Sequence, residues 1–169
     1  MPPGTGLWKK RTSFFASSFS KKPSIFPSGR LGRPKQPEGK IEGFLLKNEA
    51  KKEVRFFHKP VPGGKTAVTL YRTLESRGGL SLVECRLLTG RTHQIRVSMA
   101  EIGCPLLGDG KYGKGDVNRR YHETRQALYS YKLRFDFPTD AGLLNYLKGQ
   151  EFTVENVPFR EKYFPEIPS

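Results

Sequence analysis

The sequence predicts an α+β fold, a mixed and largely antiparallel sheet with few helices. Three observations point there. Residues 65–74 and 80–88 show the two-residue alternation of strands, and Arg77-Gly78-Gly79 joins them in a turn that suits an antiparallel hairpin. Residues 126–137 alternate in the same way. Between the hairpin and that strand lies one segment with helical spacing, bounded by Gly103 and Pro105.

Residues 1–40 stand apart. They hold Lys9, Lys10, Arg11, Lys21, Lys22, Arg30, Arg33, Lys35 and Lys40 against one acid, Glu38. Serines, phenylalanines and prolines are scattered among them with no period of a helix or a strand. No stable element is expected there, and disorder is expected before Gly32. Residues 1–31 therefore read as a basic segment and residues 32–169 as the domain. The composition allows a basic RNA-binding arm. It also allows a transit segment, which is Arg- and Ser-rich and acid-poor, although Pro2, Pro3 and Gly4 oppose an initial helix.

From Gly39 the pattern becomes regular. Residues 41–46 and 53–57 are expected as short strands around a polar turn at 47–52, and Pro60 to Gly64 as a loop. In 65–74, Ala67, Thr69 and Tyr71 share one face and Val68 and Leu70 the other. In 80–88, Leu80 and Leu82 are expected to be buried. Residues 113–125 read as a polar surface loop. Basic and aromatic residues interleave there (Tyr112, Arg119, Arg120, Tyr121, His122), which suits phosphates and unpaired bases, or equally a solvated loop. In 126–137 the set Tyr129, Tyr131, Leu133, Phe135 and Phe137 is expected to face the core. A loop follows at 138–149, a short strand at 152–154 and a helical turn at 159–164.

The charge is the strongest compositional signal. Thirty Lys and Arg face 16 Asp and Glu in 169 residues, a net charge of +14. With a pI near 10.0 the default partner is a polyanion, the alternative being a solvated basic surface. Cys85 and Cys104 are isolated, with no close His partner, which argues against a zinc site and a disulfide framework and fits a reducing cytoplasm. No stretch approaches the roughly 18–20 apolar residues of a membrane span.

The chain is organised around residues 89–113. Thr89 or Thr92 can cap the helix. At 100° per residue, Met99 and Ile102 fall within about 40° of Ile95 and form one apolar stripe. Arg96 sits at the border of that stripe, where its stem can run along the core and its guanidinium can meet a partly buried carboxylate. Gly90-Arg91-Thr92-His93-Gln94-Ile95-Arg96, then Gly103-x-Pro105, then Gly108-Asp109-x-x-Tyr112-Gly113, resembles the third sequence motif of the RluA-type pseudouridine synthases. The ordered set over this stretch is specific, and the resemblance extends from about Gly32 to about Phe164.

The resemblance implies a partial pseudouridine synthase fold lacking its first strands, and an enzyme that isomerises uridine within ribosomal or transfer RNA. The family reaction needs no metal and no cofactor. Arg96 would pair with the nucleophilic aspartate and keep it ionised, an ordinary buried ion pair being the alternative. Ile95 would line the uracil pocket. Arg91, Thr92 and Gln94 would support the site and reach toward the RNA backbone, and His93 would serve as hydrogen-bonded scaffold. The aromatic that stacks on uracil would align near Phe26. The family's motif with the catalytic aspartate, Arg-Leu-Asp followed by Thr-Ser-Gly, is not present. None of Asp109, Asp116, Asp136 or Asp140 stands in such a context, and Asp109 reads as part of a structural turn. Leu31-Gly32-Arg33-Pro34 resumes the family pattern abruptly, so a truncated gene or shifted reading frame joins the readings of residues 1–31. The expectation is a C-terminal part of a synthase, inactive alone; a non-catalytic RNA-binding module and a folding-defective remnant are the alternatives.

Overall fold

The structure is a computed structural model that describes the backbone of residues 13–18 and residues 34–135, 137 and 139–165. Its strands are β1 (Ser13–Ser18), β2 (Glu38–Asn48), β3 (Glu53–Phe57), β4 (Lys65–Arg77), β5 (Leu80–Leu87), β6 (Leu128–Arg134) and β7 (Glu151–Thr153). Its helices are α1 (Gln94–Glu101), α2 (Gly115–Arg120) and α3 (Pro158–Tyr163), with a 3-10 turn at Gly142–Leu147. One sheet holds all seven strands in the order β3-β2-β4-β5-β1-β6-β7. Each pairing is antiparallel.

Alternation decides which side chains meet α1. Pairing of Ile41 with Thr69, Gly43 with Ala67 and Tyr71 with Cys85 aligns a single face across β2, β4 and β5. On that face Ile41, Tyr71, Val83 and Cys85 pack against Ile95 and Met99 of α1. Leu45, Val54 and Ala67 pack against Val97, which lies between those two in the helix. A second cluster joins Leu80 and Leu82 to Leu107, Val117, Val157 and Phe164, so α2 and α3 close the other part of the core.

The expectation of no element in residues 1–40 needs correction. Ser13–Ser18 is a strand in the sheet interior, with Phe14 opposite Cys85 of β5 and Ser130 of β6. The stretch looked irregular because strongly basic neighbours hide a run of only six residues. Residues 113–125 also differ from the loop expected. Six of them form α2, whose one buried side chain, Val117, is too little to show a period in the sequence. The aromatic face of β6 is only partly inward. Tyr131 packs on the second cluster, while Tyr129 and Leu133 are 37% and 40% exposed. Among the described residues, no helix is long and apolar enough to cross a membrane.

After α1 the chain turns sharply. Gly103, at φ +80, lets the amides of Gly103 and Cys104 bond back to the carbonyls of Ala100 and Met99 at 3.0 and 2.9 Å, which closes the helix end. Gly108 has a stricter role. Its φ is +74, and a Cβ there would run into the backbone carbonyl of Arg125. Gly108→Ala is expected to destabilise the fold by about 2–4 kcal/mol, from left-handed strain and forced backbone displacement. Urea unfolding of both proteins measures this, and a difference under about 1 kcal/mol would show that the turn yields.

Candidate functional site

The segment Gly90–Arg96 is held by one buried amide. Gln94 is 2% exposed. Its Oε1 accepts from the Thr89 hydroxyl at 2.9 Å and from the Arg91 backbone amide at 3.0 Å. Its Nε2 donates to the Val68 carbonyl and to the Thr69 hydroxyl, both at 3.0 Å. The amide's bonding capacity is therefore spent on β4 and on its own loop. Neither Thr89 nor Thr92 caps the helix. The N-cap position is His93 in the left-handed region at φ 54, with no side-chain cap bond. Gln94 ties the Arg91 amide back instead, a role that spacing does not announce.

His93 is fixed from the other side. Its Nδ1 lies 2.9 Å from the Tyr112 hydroxyl, and that hydroxyl accepts from the Val54 amide at 2.9 Å. Burial, then the positive charges of Arg96 and Lys111, push the His93 pKa below its ordinary value despite the opposing charge of Asp109. The ring is therefore neutral near pH 7 and suited to hydrogen bonding.

Arg96 reaches Asp109 with a planar fork. Nε donates to Oδ2 and Nη2 to Oδ1, each at 2.8 Å. The backbone amides of Lys111 and Tyr112 also donate to Oδ1, at 2.9 and 3.0 Å. The carboxylate side chain is 0% exposed and the guanidinium side chain 14%. The Tyr112 ring lies 5.1 Å from the guanidinium carbon. Asn118 of α2 completes the turn, receiving the Gly108 amide and donating to the Asp109 carbonyl. Among the described residues, Asp109 is the carboxylate that Arg96 engages.

A cavity of about 320 Å³ opens beside this network. Leu45, Leu46, Lys47, Glu49, Val54, Gly63, Lys65 and the Gly90–Thr92 segment line it. Of the residues expected at a site, the structure brings Arg91 and Thr92 to this cavity and His93, Arg96 and Tyr112 to the network behind it. Ile95 is 5% exposed and packed in the core with Tyr71 and Cys85. Arg119 and Arg120 lie on α2, and Arg120 stacks over Tyr121 with 5.9 Å to the ring centre. The cavity's own Lys47 and Lys65 were missed because single exposed lysines on strands carry no pattern. Phe26 and Asp136 lie outside the described residues. Among the described residues, no cluster of His, Cys, Asp and Glu could hold a metal ion.

The buried pair makes a prediction about acid. Burial alone would raise the Asp109 pKa, but the Arg96 fork, the Tyr112 and Lys111 amides and the Arg96 charge together hold it below the ordinary 3.8. A carboxyl depressed in the folded state stabilises above its unfolded pKa, and that stability is lost as pH falls through the folded value. Melting temperature should fall with acidification below about pH 4. Asp109→Ala should cost about 3–5 kcal/mol at pH 7, because it leaves a guanidinium half buried without its partner. Its extra loss in acid should be smaller than that of the native chain. Equal melting temperatures at pH 7 would show that the pair contributes nothing.

Comparisons with known proteins identify the family. The family model of the RNA pseudouridylate synthases matches residues 16–101, beginning inside β1. An uncharacterised RNA pseudouridine synthase of Bacillus subtilis, YlyB, is 51% identical over 75 residues, which are 44% of this chain and 24% of that protein. The ribosomal large subunit pseudouridine synthase D of Haemophilus ducreyi is 38% identical over 118 residues, covering 63% of this chain and 35% of that protein. The chain thus spans about a quarter to a third of the length of these relatives. The solved structure of human RNA pseudouridylate synthase domain containing 1 superposes with a TM-score of 0.63 at 23% identity, over 90% of this chain and 56% of that one, and shares its fold. A match over residues 16–101, just over half of the sequence, settles the family: this chain belongs to the RNA pseudouridylate synthases.

Proposed function

We propose that the chain is the C-terminal part of an RNA pseudouridine synthase catalytic domain, acting on ribosomal or transfer RNA in the cytoplasm, and that it does not turn over uridine alone. The reaction breaks the N1–C1′ bond of uridine and joins C5 to C1′, and in the family it depends on one aspartate. The observation that carries the reading is the state of Asp109. Both its oxygens are bonded and its side chain has no exposure, so it cannot reach a nucleotide. Arg96, by family the partner of the nucleophile, is committed to Asp109 in this chain.

The second reading is an RNA-binding module without catalysis. The net charge of +14 and the cations around the cavity favour it, and it coexists with the first. Two assays test the pair. A tritium-release assay on ribosomal RNA is expected to show no turnover by the purified chain; measurable turnover would overturn the inactive reading. Binding of a structured RNA is expected to weaken with salt, the log–log slope reporting about 0.7–0.9 per phosphate neutralised. Absence of binding at low salt would remove the RNA-binding reading.

A further inference from the structure

We propose that residues 1–12 lie across a bare apolar face of the β6–β7 hairpin, with Leu7 and Trp8 set against Leu133 and Phe152.

The face is built by alternation. Lys132 stands opposite Thr153, Leu133 opposite Phe152 and Arg134 opposite Glu151. One side of the hairpin is therefore polar, and on it Lys132 meets Glu151 at 2.8 Å. The other side is apolar. It begins at Tyr131, which packs on the cluster of Leu82 and Phe164. It continues through Leu133, Phe135 and Phe152, and the rings of Phe135 and Phe152 meet edge to face at 6.1 Å. There the cover runs out. Phe152 is 52% exposed, and Val154, whose amide bonds the Tyr131 carbonyl, is 42% exposed. Leu143 and Tyr146 of the connecting 3-10 turn are 95% and 70% exposed. A hairpin that is polar on one side and carries bare aromatic and aliphatic side chains on the other presents a surface for another segment to cover.

The chain brings such a segment to the place. β1 runs antiparallel to β6, with Ala16 opposite Leu128 and Ser13 opposite Lys132. The N-terminal end of β1 thus points along β6 toward Leu133 and the far end of the hairpin. Leu7 and Trp8 precede Ser13 by six and five residues. That length of chain reaches roughly 17–20 Å when extended. Leu133 lies one strand away from β1 and Phe152 two, at about 4.8 Å for each step.

Charge selects the same occupant. Residues 1–12 carry Lys9, Lys10 and Arg11 and no acid. Residues 128–157 hold three cations against four acids, in a chain whose net charge is +14. A basic, apolar segment suits that surface and a polyanion does not. A second copy is the weaker fit, because two such cations repel each other and β7, at three residues, is a short edge to pair with. The tether adds to the preference: a segment anchored at Ser13 meets the face at an effective concentration on the order of millimolar. Covered in this way, the hairpin is closed to other proteins until the segment is displaced.

Trp8 is the only tryptophan in the chain, so its fluorescence reads the contact. In the full chain its emission is expected to be blue-shifted, and its quenching by acrylamide several-fold weaker, relative to a peptide of residues 1–12. Phe152→Ser should move both toward the peptide's values. Leu74→Ser, at an exposed leucine on β4, should leave both unchanged. Circular dichroism checks the fold of each variant. A chain that begins at Ser13 supplies a reading independent of the substitutions, and it should bind an apolar dye several-fold more than the full chain. Quenching equal to the peptide's, a blue emission that Phe152→Ser does not alter, or dye binding unchanged by the deletion would each overturn the proposal. An emission that reddens on dilution, as a dimer dissociates in sedimentation, would give the face to a second copy and overturn it too.

Discussion

The Arg96–Asp109 fork is the interaction on which the site depends. It joins α1 to the turn that begins at Gly108, and so sets where Tyr112 stands. Tyr112 in turn receives the amide of Val54 and meets His93. One ion pair thereby registers three elements that are distant in sequence: the β2–β3 hairpin, the helix start and the post-helix turn. Two formal charges in a dry setting are tolerable because each oxygen and each facing nitrogen has a partner, and the aromatic ring covers the guanidinium. The arrangement is stiff, as a positioning device must be. It also removes the carboxylate from any solvent-side chemistry.

Much of the fold could be read from residue order. The β4–β5 hairpin, the single helix at the centre and the late strand at 128–134 follow from alternation, from Gly78-Gly79 and from Gly103 with Pro105. Elements held together by long-range contacts could not be read. β1 is short, flanked by cations, and meaningful only because β5 and β6 offer it edges. α2 owes its place to Val117 and Asn118 meeting the Gly108 turn. The site shows the same division. The motif pointed to Arg91, Thr92, His93, Gln94, Arg96 and Tyr112, and these lie together or at adjoining points. What each one touches was hidden. Gln94 is consumed by four internal bonds, and Ile95 packs with Tyr71 and Cys85.

The strand residues that line the cavity, apolar and basic, come mostly from one face of the sheet. Leu45 and Val54 stand on the inward face of β2 and β3, packed against Val97 of α1. Lys47 and Lys65 stand on that same face, opposite Val54 and Leu45, and Arg91 comes from the loop before the helix. A sheet edge that is half covered therefore yields both surfaces without any special insertion.

The place of β1 has a consequence for how the molecule comes into being. Ser13–Ser18 is made first but lies between β5 and β6, with Ser13 opposite Arg86 and Phe14 opposite Ser130. During vectorial synthesis it has no neighbour until residues far downstream leave the ribosome. Among the described residues, β6 and β7 join the sheet through it. Such distant pairing carries a large loop-closure entropy and slows assembly. The hairpins β2–β3 and β4–β5 can form as they emerge, so the nascent chain passes through a half-built sheet with one edge of β5 bare. That interval is when a chaperone, or another copy of the same strand, has its opportunity.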